Sequence, residues 1–161
     1  MKQYPILYTF RDKIVGAGFL ADVTVHGRAL AAEEAEGEWW LYGVQPGGFA
    51  AGGTTLAEAQ AEFRKDFTTI LYDIAEDARD IRAFDTEVRR FFSEINEPTE
   101  REWTAALVWV RAMLREQRTA EAVPGNLAVI PADSPRGVEV RIIETMTPKD
   151  NAVDPQMALA A

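Results

Sequence analysis

Residues 39–59 read WWLYGVQPGGFAAGGTTLAEA, and they contain the strongest local signals of structure in the chain. It places an aromatic segment, two glycine pairs and the start of a helix in immediate succession. Residues 46–48, Pro-Gly-Gly, predict a tight turn, because proline presets φ and glycine permits φ > 0. Residues 55–58, Thr-Leu-Ala-Glu, have the form of a capping box, which predicts a helix N-terminus. The residues expected to build the turn and the helix cap are Gly47, Gly48, Gly53, Thr55 and Glu58.

The two halves of this stretch differ in periodicity. From residue 56 onward, apolar residues recur at spacings of three and four, which predicts a helix laid with one face across a sheet. These residues are Leu56, Ala59, Phe63, Phe67, Ile70, Leu71, Ile74 and Ala78. Residues 39–44 are apolar on both faces of an alternating strand. They predict a central strand, covered on one side by the helix and on the other by a partner or by further chain.

The residues before this stretch predict two more strands and a hairpin. Apolar and polar residues alternate over 19–26, which predicts a long strand reaching Ala31. A similar alternation over 6–11 predicts an earlier strand. Residues 33–38 then bring together several like charges, which would repel one another in a strand ladder but are easily solvated in a hairpin loop. The charged residues of this loop are Glu33, Glu34, Glu36 and Glu38.

Two further helices are predicted within residues 80–118. Asp85 suits the N-cap of the first, and a second capping box begins at Thr99. Residues 127–130 and 138–143 predict two final strands, whereas residues 147–161 lack periodicity and predict a flexible tail. We therefore predict a single α+β domain over residues 1–146, with residues 80–118 as a helical insertion. Its framework is an antiparallel sheet of three or more strands packed by a long helix.

Composition narrows the classes of function. The chain of 161 residues contains no cysteine, which excludes disulfides, a thiolate nucleophile and a sulfur-ligated metal site. Its apolar runs fall short of the ~20 residues of a membrane span, and no secretory signal is recognisable, so a cytoplasmic location is expected. A formal net charge of −9 opposes direct binding to nucleic acid or anionic membranes. The same charge favours a basic protein partner, or serves solubility alone.

A short strand that ends in glycine and runs directly into a helix opening with Thr-x-x-Glu-Ala is a recognisable motif. The residues that form it are Gly47, Gly48, Phe49, Gly53, Thr54, Leu56, Glu58 and Ala59. With the aromatic strand before it, the motif resembles the HicB-like antitoxin family over residues 19–78. The resemblance implies a truncated RNase H-like fold that binds and neutralises a small RNA-cleaving toxin. Many members also carry a C-terminal DNA-binding module, and residues 127–161 show no recognisable one.

The resemblance implies a partner-binding surface at the acidic hairpin. Its expected residues are Glu33, Glu34, Glu36 and Glu38, together with Trp40 and Tyr42. The glutamates would meet the basic groove in which a toxin holds RNA phosphates. Tryptophan and tyrosine are frequent interface anchors, although core packing explains them equally well. A homo-oligomer formed through sheet edges or through the added helices is also expected.

Two alternatives from other classes remain open. One is a metal-dependent hydrolase that retains an RNase H-like site, for which Asp22 and Glu58 are candidate carboxylates without a second strand carboxylate beside them. The other is a small-molecule sensor that binds an anion at the glycine-rich loop 47–55, which lacks the ending of a P-loop. His26, the only histidine, stands in no nucleophile motif. We predict a non-enzymatic protein with no catalytic residues, no metal ligands and no cofactor.

Overall fold

The computed structural model describes residues 1–116 and 137–145. In chain order the elements are β1 (Lys2–Gly16), β2 (Phe19–Ala35), β3 (Glu38–Gln45), β4 (Ala50–Gly53), α1 (Leu56–Asp77), α2 (Ile81–Ser93), α3 (Glu97–Arg115) and β5 (Gly137–Thr145). The strand pairs among them are antiparallel, so the predicted α+β class is confirmed.

The sheet is built around β2. β1 pairs with β2 from Gly16 opposite Phe19 to Lys2 opposite Glu33. On its other side, β2 pairs with β5 through residues 19–26 and with β3 through residues 28–35. β3 and β5 therefore lie end to end along the same side of β2, and β4 extends the sheet beyond β3.

One face of the sheet is covered by α1 and α2. The alternating apolar residues of β2 point to this face, as their periodicity predicts, and are fully buried. They pack against Phe67 and Leu71 of α1 and Phe84 of α2. Burial of each such side chain contributes about 1.5–3 kcal/mol, so this layer holds the long helix across the sheet.

α3 covers part of the opposite face. Trp103 of α3 packs against Leu30 of β2 and Val44 of β3. Its indole Nε1 donates a hydrogen bond to the carbonyl oxygen of Ile6 at 3.3 Å, which satisfies the polar atom of a buried ring. The sequence left open what covers the second face of the aromatic strand. In the structure, α3 of the same chain covers that face of β3.

The start of α2 corrects one predicted boundary. Asp80 is the N-cap, and its carboxylate accepts a hydrogen bond from the amide of Ala83 at 2.8 Å. The predicted cap, Asp85, lies inside the helix and pairs with Arg89 at 2.9 Å. The apolar stripe continues back through Phe84 to Ile81, both of which pack in the core, and the helix therefore begins earlier than predicted.

α3 also begins earlier than predicted. Asn96 is the N-cap and accepts from the amide of Thr99 at 3.3 Å, while Pro98 occupies the first turn, where no amide is needed. The predicted strand 138–143 is confirmed as part of β5. The predicted strand 127–130 and the predicted tail 147–161 lie outside the described residues.

Candidate protein-binding surface

The hairpin between β2 and β3 positions the residues predicted to bind a partner. Its turn lies at Glu36 and Gly37, and Gly37 has φ of 72°, the left-handed conformation that glycine adopts without steric strain. β3 returns with Trp39 directly opposite Glu33. Because neighbouring residues of a strand point to opposite faces, this register sends Trp39 and Trp40 to different sides of the sheet.

Two exposed glutamates and two stacked rings form one cluster, which we call the acidic aromatic surface: Glu34, Glu38, Trp40 and Tyr42. The rings of Trp40 and Tyr42 lie 6.1 Å apart between centroids, with 19° between their planes. The Tyr42 hydroxyl donates a hydrogen bond to Glu34, and Trp40 Nε1 donates one to Glu38 Oε1 at 3.3 Å. Each carboxylate is therefore held beside an aromatic ring.

One ring of this surface is anchored in the core below α3. Tyr42 packs against a cluster that contains Leu30, Val44 and Trp103. Trp40 and Tyr42 are half-buried, whereas Glu34 and Glu38 are exposed. Tyr42 thus packs against the core and is partly exposed, whereas Trp40 is held by its stack on Tyr42.

The electrostatic environment keeps the Tyr42 hydroxyl protonated. Burial, and then the hydrogen bond to Glu34, raises the pKa of Tyr42 to about 12. The negative charges of Glu102 and Glu38 add to this effect. Tyr42 therefore remains a neutral hydrogen-bond donor within a negatively charged surface.

The remaining two predicted glutamates have separate positions. Glu33 lies on the α1 face, where its carboxylate pairs with Lys2 at 3.2 Å and its side chain is 18% exposed. Its cross-strand neighbour Trp39 stacks on Tyr4, with 6.1 Å between ring centroids. Glu36 is exposed in the turn, at the tip of the hairpin. The structure therefore places Glu34 and Glu38 beside the rings, Glu36 in the turn, and Glu33 on the opposite face with Lys2.

The glycine turn is packed against the junction of α2 and α3. Gly47 donates its amide to the carbonyl of Glu94 at 2.8 Å, and Asn96 donates to the carbonyl of Val44 at 3.0 Å. A Cβ on Gly47 would lie 2.6 Å from the Asn96 nitrogen, so only glycine fits. Gly48 has φ of 85°, which confirms the predicted need for positive φ in this turn.

The predicted cap of α1 is present, with one difference in its partners. Thr55 accepts a hydrogen bond from the amide of Glu58 at 3.1 Å. The Glu58 carboxylate accepts from the amide of Thr54 at 2.9 Å, one residue before the position in a standard capping box. These bonds with Thr54 lower the pKa of Glu58. Gly53 lies so close to this turn that a Cβ would come within 2.6 Å of the Ala59 amide nitrogen.

These contacts bear on the anion-sensor alternative. The amides of Gly47 and Thr54 already donate to groups of the protein, at 2.8 Å and 2.9 Å. A loop that binds an anion needs amides that are free to donate to it. The geometry therefore favours a structural role for this loop.

The candidate carboxylate of the hydrolase alternative is engaged in an ion pair. Arg11 Nε lies 3.1 Å from both carboxylate oxygens of Asp22. The Arg11 guanidinium, with Arg141 and Lys13 nearby, lowers the pKa of Asp22. Beside this pair, His26 Nδ1 lies 3.1 Å from the hydroxyl oxygen of Thr9. In residues 1–116 and 137–145, no group of three or more histidines or carboxylates is arranged to hold a metal ion.

A cluster that sequence reasoning missed connects α3 to the sheet. The side chain of Arg28 is only 8% exposed, and its Nη2 donates to Glu100 at 2.8 Å and to Gln45 at 3.1 Å. Its guanidinium lies 5.4 Å from the centre of the Trp103 ring. The sequence contained one signal of this cluster, which is the position of Arg28 beside an apolar strand segment. An arginine there is expected to be buried, and a buried charge requires an opposite charge nearby.

Comparison with known proteins does not identify a family. No family model matches the chain, and no significant match is found among curated proteins or solved structures. The resemblance to HicB-like antitoxins therefore stays a prediction. Within the described part of the chain, no helix is long and apolar enough to cross a membrane.

Proposed function

We propose that this protein acts by binding a basic protein partner at the acidic aromatic surface. The observation that carries the proposal is that two exposed carboxylates each accept a hydrogen bond from one of two stacked rings. Tryptophan and tyrosine are enriched at binding hot spots. Because Trp40 and Tyr42 are already held in place by the fold, they lose little side-chain entropy when a partner binds.

The charge of the chain supports a basic partner. The formal net charge is −9, and the exposed Glu36 adds a further charge at the tip of the hairpin. Such a field accelerates the encounter with a positively charged protein and weakens as salt is added. Glu33, which is paired with Lys2, contributes less of its charge to this surface.

We further propose, from the resemblance to HicB-like antitoxins, that the partner is a small RNA-cleaving toxin. Glu34, Glu36 and Glu38 would occupy the basic groove that otherwise binds RNA phosphates, so that inhibition occurs by occlusion. This function requires no catalytic group and no cofactor. The predicted homo-oligomer stays a prediction, because the structure describes a single chain.

Capture from native-host extract tests the proposal. The tagged chain is compared with a surface variant, which has glutamine at three hairpin positions, and with a control variant that loses the same charge from exposed positions of α1. The surface variant carries Glu34→Gln, Glu36→Gln and Glu38→Gln, and the control carries Asp66→Asn, Asp73→Asn and Glu76→Gln.

We expect a small basic protein to copurify with the unaltered chain and the control, to be released by high salt, and to cleave RNA once freed. Its loss from the surface variant alone would support the site. Equal recovery by the surface variant would show that binding occurs elsewhere. A partner without ribonuclease activity would remove the toxin from the proposal and leave the binding surface in place.

A further inference from the structure

A cavity lies between β1 and the first half of α1, away from the acidic aromatic surface. Its volume is about 340 Å³, near the lower end of the ~300–1,000 Å³ of small-molecule sites. The side chains or backbone that line it belong to Ile6, Leu7, Tyr8, Thr9, Phe10, Leu41, Gln60, Phe63, Arg64 and Phe67.

Four aromatic rings, those of Tyr8, Phe10, Phe63 and Phe67, form part of the cavity wall and are fixed by ring contacts. Phe63 meets Tyr8 edge to face, with 5.4 Å between ring centroids. Phe67 and Phe10 lie 4.7 Å apart. Phe49 stacks behind Phe63 at 4.3 Å, which holds that ring against the cavity. The cavity therefore offers an ordered apolar surface to the body of a small molecule.

One cation stands at the cavity. Among the described residues that line it, Arg64 is the only charged one, and its side chain is exposed. Its guanidinium donates to the carbonyl of Thr9 at 3.3 Å, and within the described chain it makes no ion pair. The neighbouring Lys65 differs, because it pairs with Glu62 at 3.3 Å. Arg64 thus retains donors for an anion.

Tyr8 forms part of the wall, and its hydroxyl extends over Gly27 of β2. The hydroxyl of Tyr8 is buried and has no hydrogen-bond partner among the described residues. Burial raises the pKa of Tyr8, so the hydroxyl keeps its proton. The hydroxyl lies against the backbone of Gly27, so it belongs to the packing behind the cavity, and the contact to an anion rests on Arg64.

We propose that this cavity binds a small amphipathic carboxylate, with its apolar body against Phe10, Phe63 and Phe67 and its carboxylate at Arg64. A single guanidinium matches one carboxylate, with which it forms two parallel hydrogen bonds. A phosphate monoester, with about two negative charges at neutral pH, would call for a second cation, and none lines the described cavity. This site is independent of the proposed binding surface.

The probe is 4-phenylbutanoate, and the uncharged 4-phenylbutan-1-ol serves as its matched control. Binding is followed by chemical shifts of backbone amides during titration of the full chain. For a ligand of about a dozen heavy atoms, the expected dissociation constant is on the order of micromolar to millimolar. We expect saturable shifts at Tyr8, Gln60 and Phe63, with the alcohol bound about tenfold more weakly.

Two variants separate the charge of Arg64 from the net charge of the helix. Arg64→Gln should weaken 4-phenylbutanoate about tenfold and leave the alcohol unchanged. Lys65→Gln removes the same charge from the next residue and should bind both probes as the unaltered chain does. Absence of saturable shifts at the cavity, equal affinity for carboxylate and alcohol, or no effect of Arg64→Gln would each overturn the proposal.

Discussion

The variant Glu100→Gln tests how α3 is held on the sheet behind Tyr42. Glutamine keeps an oxygen that can accept from Arg28 but removes the negative charge, so the guanidinium loses its ionic partner. Breaking a buried ion pair costs about 3–5 kcal/mol, whereas an exposed pair is worth about 0–1 kcal/mol. The Arg28 side chain is 8% exposed and that of Glu100 is 35% exposed. Between these limits, we expect the free energy of unfolding to fall by about 2 kcal/mol.

Glu97→Gln is the matched control, because Glu97 and Glu100 both lie in the first turn of α3. Loss of a charge near a helix N-terminus costs about 0.3–1 kcal/mol through the helix dipole alone. Urea denaturation at neutral pH measures both variants, and unchanged m-values would show that the unfolding reaction is the same. If Glu100→Gln costs no more than Glu97→Gln, the buried ion pair does not stabilise the position of α3.

A double-mutant cycle with Arg28→Met separates the pair from its surroundings. Once Arg28 is gone, Glu100→Gln should cost little, because Glu100 is partly exposed and can be solvated. The coupling energy should then be about 1–2 kcal/mol. A coupling energy near zero would mean that Arg28 acts independently of Glu100, through Gln45 and Trp103.

Three further outcomes follow from the contacts described. Glu34→Gln should lower the pKa of Tyr42 from about 12 towards its usual value. The pKa should not reach that value, because burial is the larger cause of the shift. An unchanged pKa in an absorbance titration would contradict the hydrogen bond. Since this pKa is raised, the contribution of Tyr42 to stability is full below about pH 10 and is lost as pH rises towards the folded value. Arg11 lowers the pKa of Asp22. The contribution of Asp22 to stability is therefore present above about pH 3.9 and is lost as pH falls further. The Asp22→Asn variant should therefore lose less stability than the unaltered chain when the pH is lowered. An equal decrease of the urea midpoint in both proteins would refute this. Gly47→Ala should lower the free energy of unfolding by about 1–3 kcal/mol, because its Cβ would meet Asn96, and an unchanged urea midpoint would count against the packed turn.

Much of the fold is predictable where a local pattern determines a local structure. Alternation over 19–26 decides which residues of β2 face α1 and α2, and three-and-four spacing from residue 56 decides the inward face of α1. These patterns succeed because burial of apolar area is the largest favourable term in folding. The turn at Gly48 is predictable for a different reason, since its positive φ requires a residue without Cβ.

Patterns do not determine long-range partners. β3 and β5 share one side of β2, although they are far apart in the sequence, and nothing in either segment specifies that arrangement. The choice between Asp80 and Asp85 as a helix cap is a different case, because either carboxylate can accept from an amide. The local pattern does distinguish them, since Ile81 and Phe84 continue the apolar spacing of α2 back to Asp80.

The candidate surface is predictable in composition and not in geometry. The sequence shows four glutamates and an aromatic strand, but only the hairpin register separates Glu33 from Glu34. The pairing of Glu33 with Lys2 depends on where β1 lies, which the hairpin sequence does not contain. The role of Glu100 depends in the same way on α3 crossing Arg28.

Binding at the acidic aromatic surface is tested by the salt dependence of affinity between the purified chain and the basic partner that it captures. The unaltered chain and the α1 control should bind alike, with affinity that falls as salt rises. The variant Glu34→Gln, Glu36→Gln, Glu38→Gln should bind about tenfold more weakly at low salt, with a shallower salt dependence. The same affinity and the same salt dependence in all three proteins would contradict the acidic aromatic surface as the binding site.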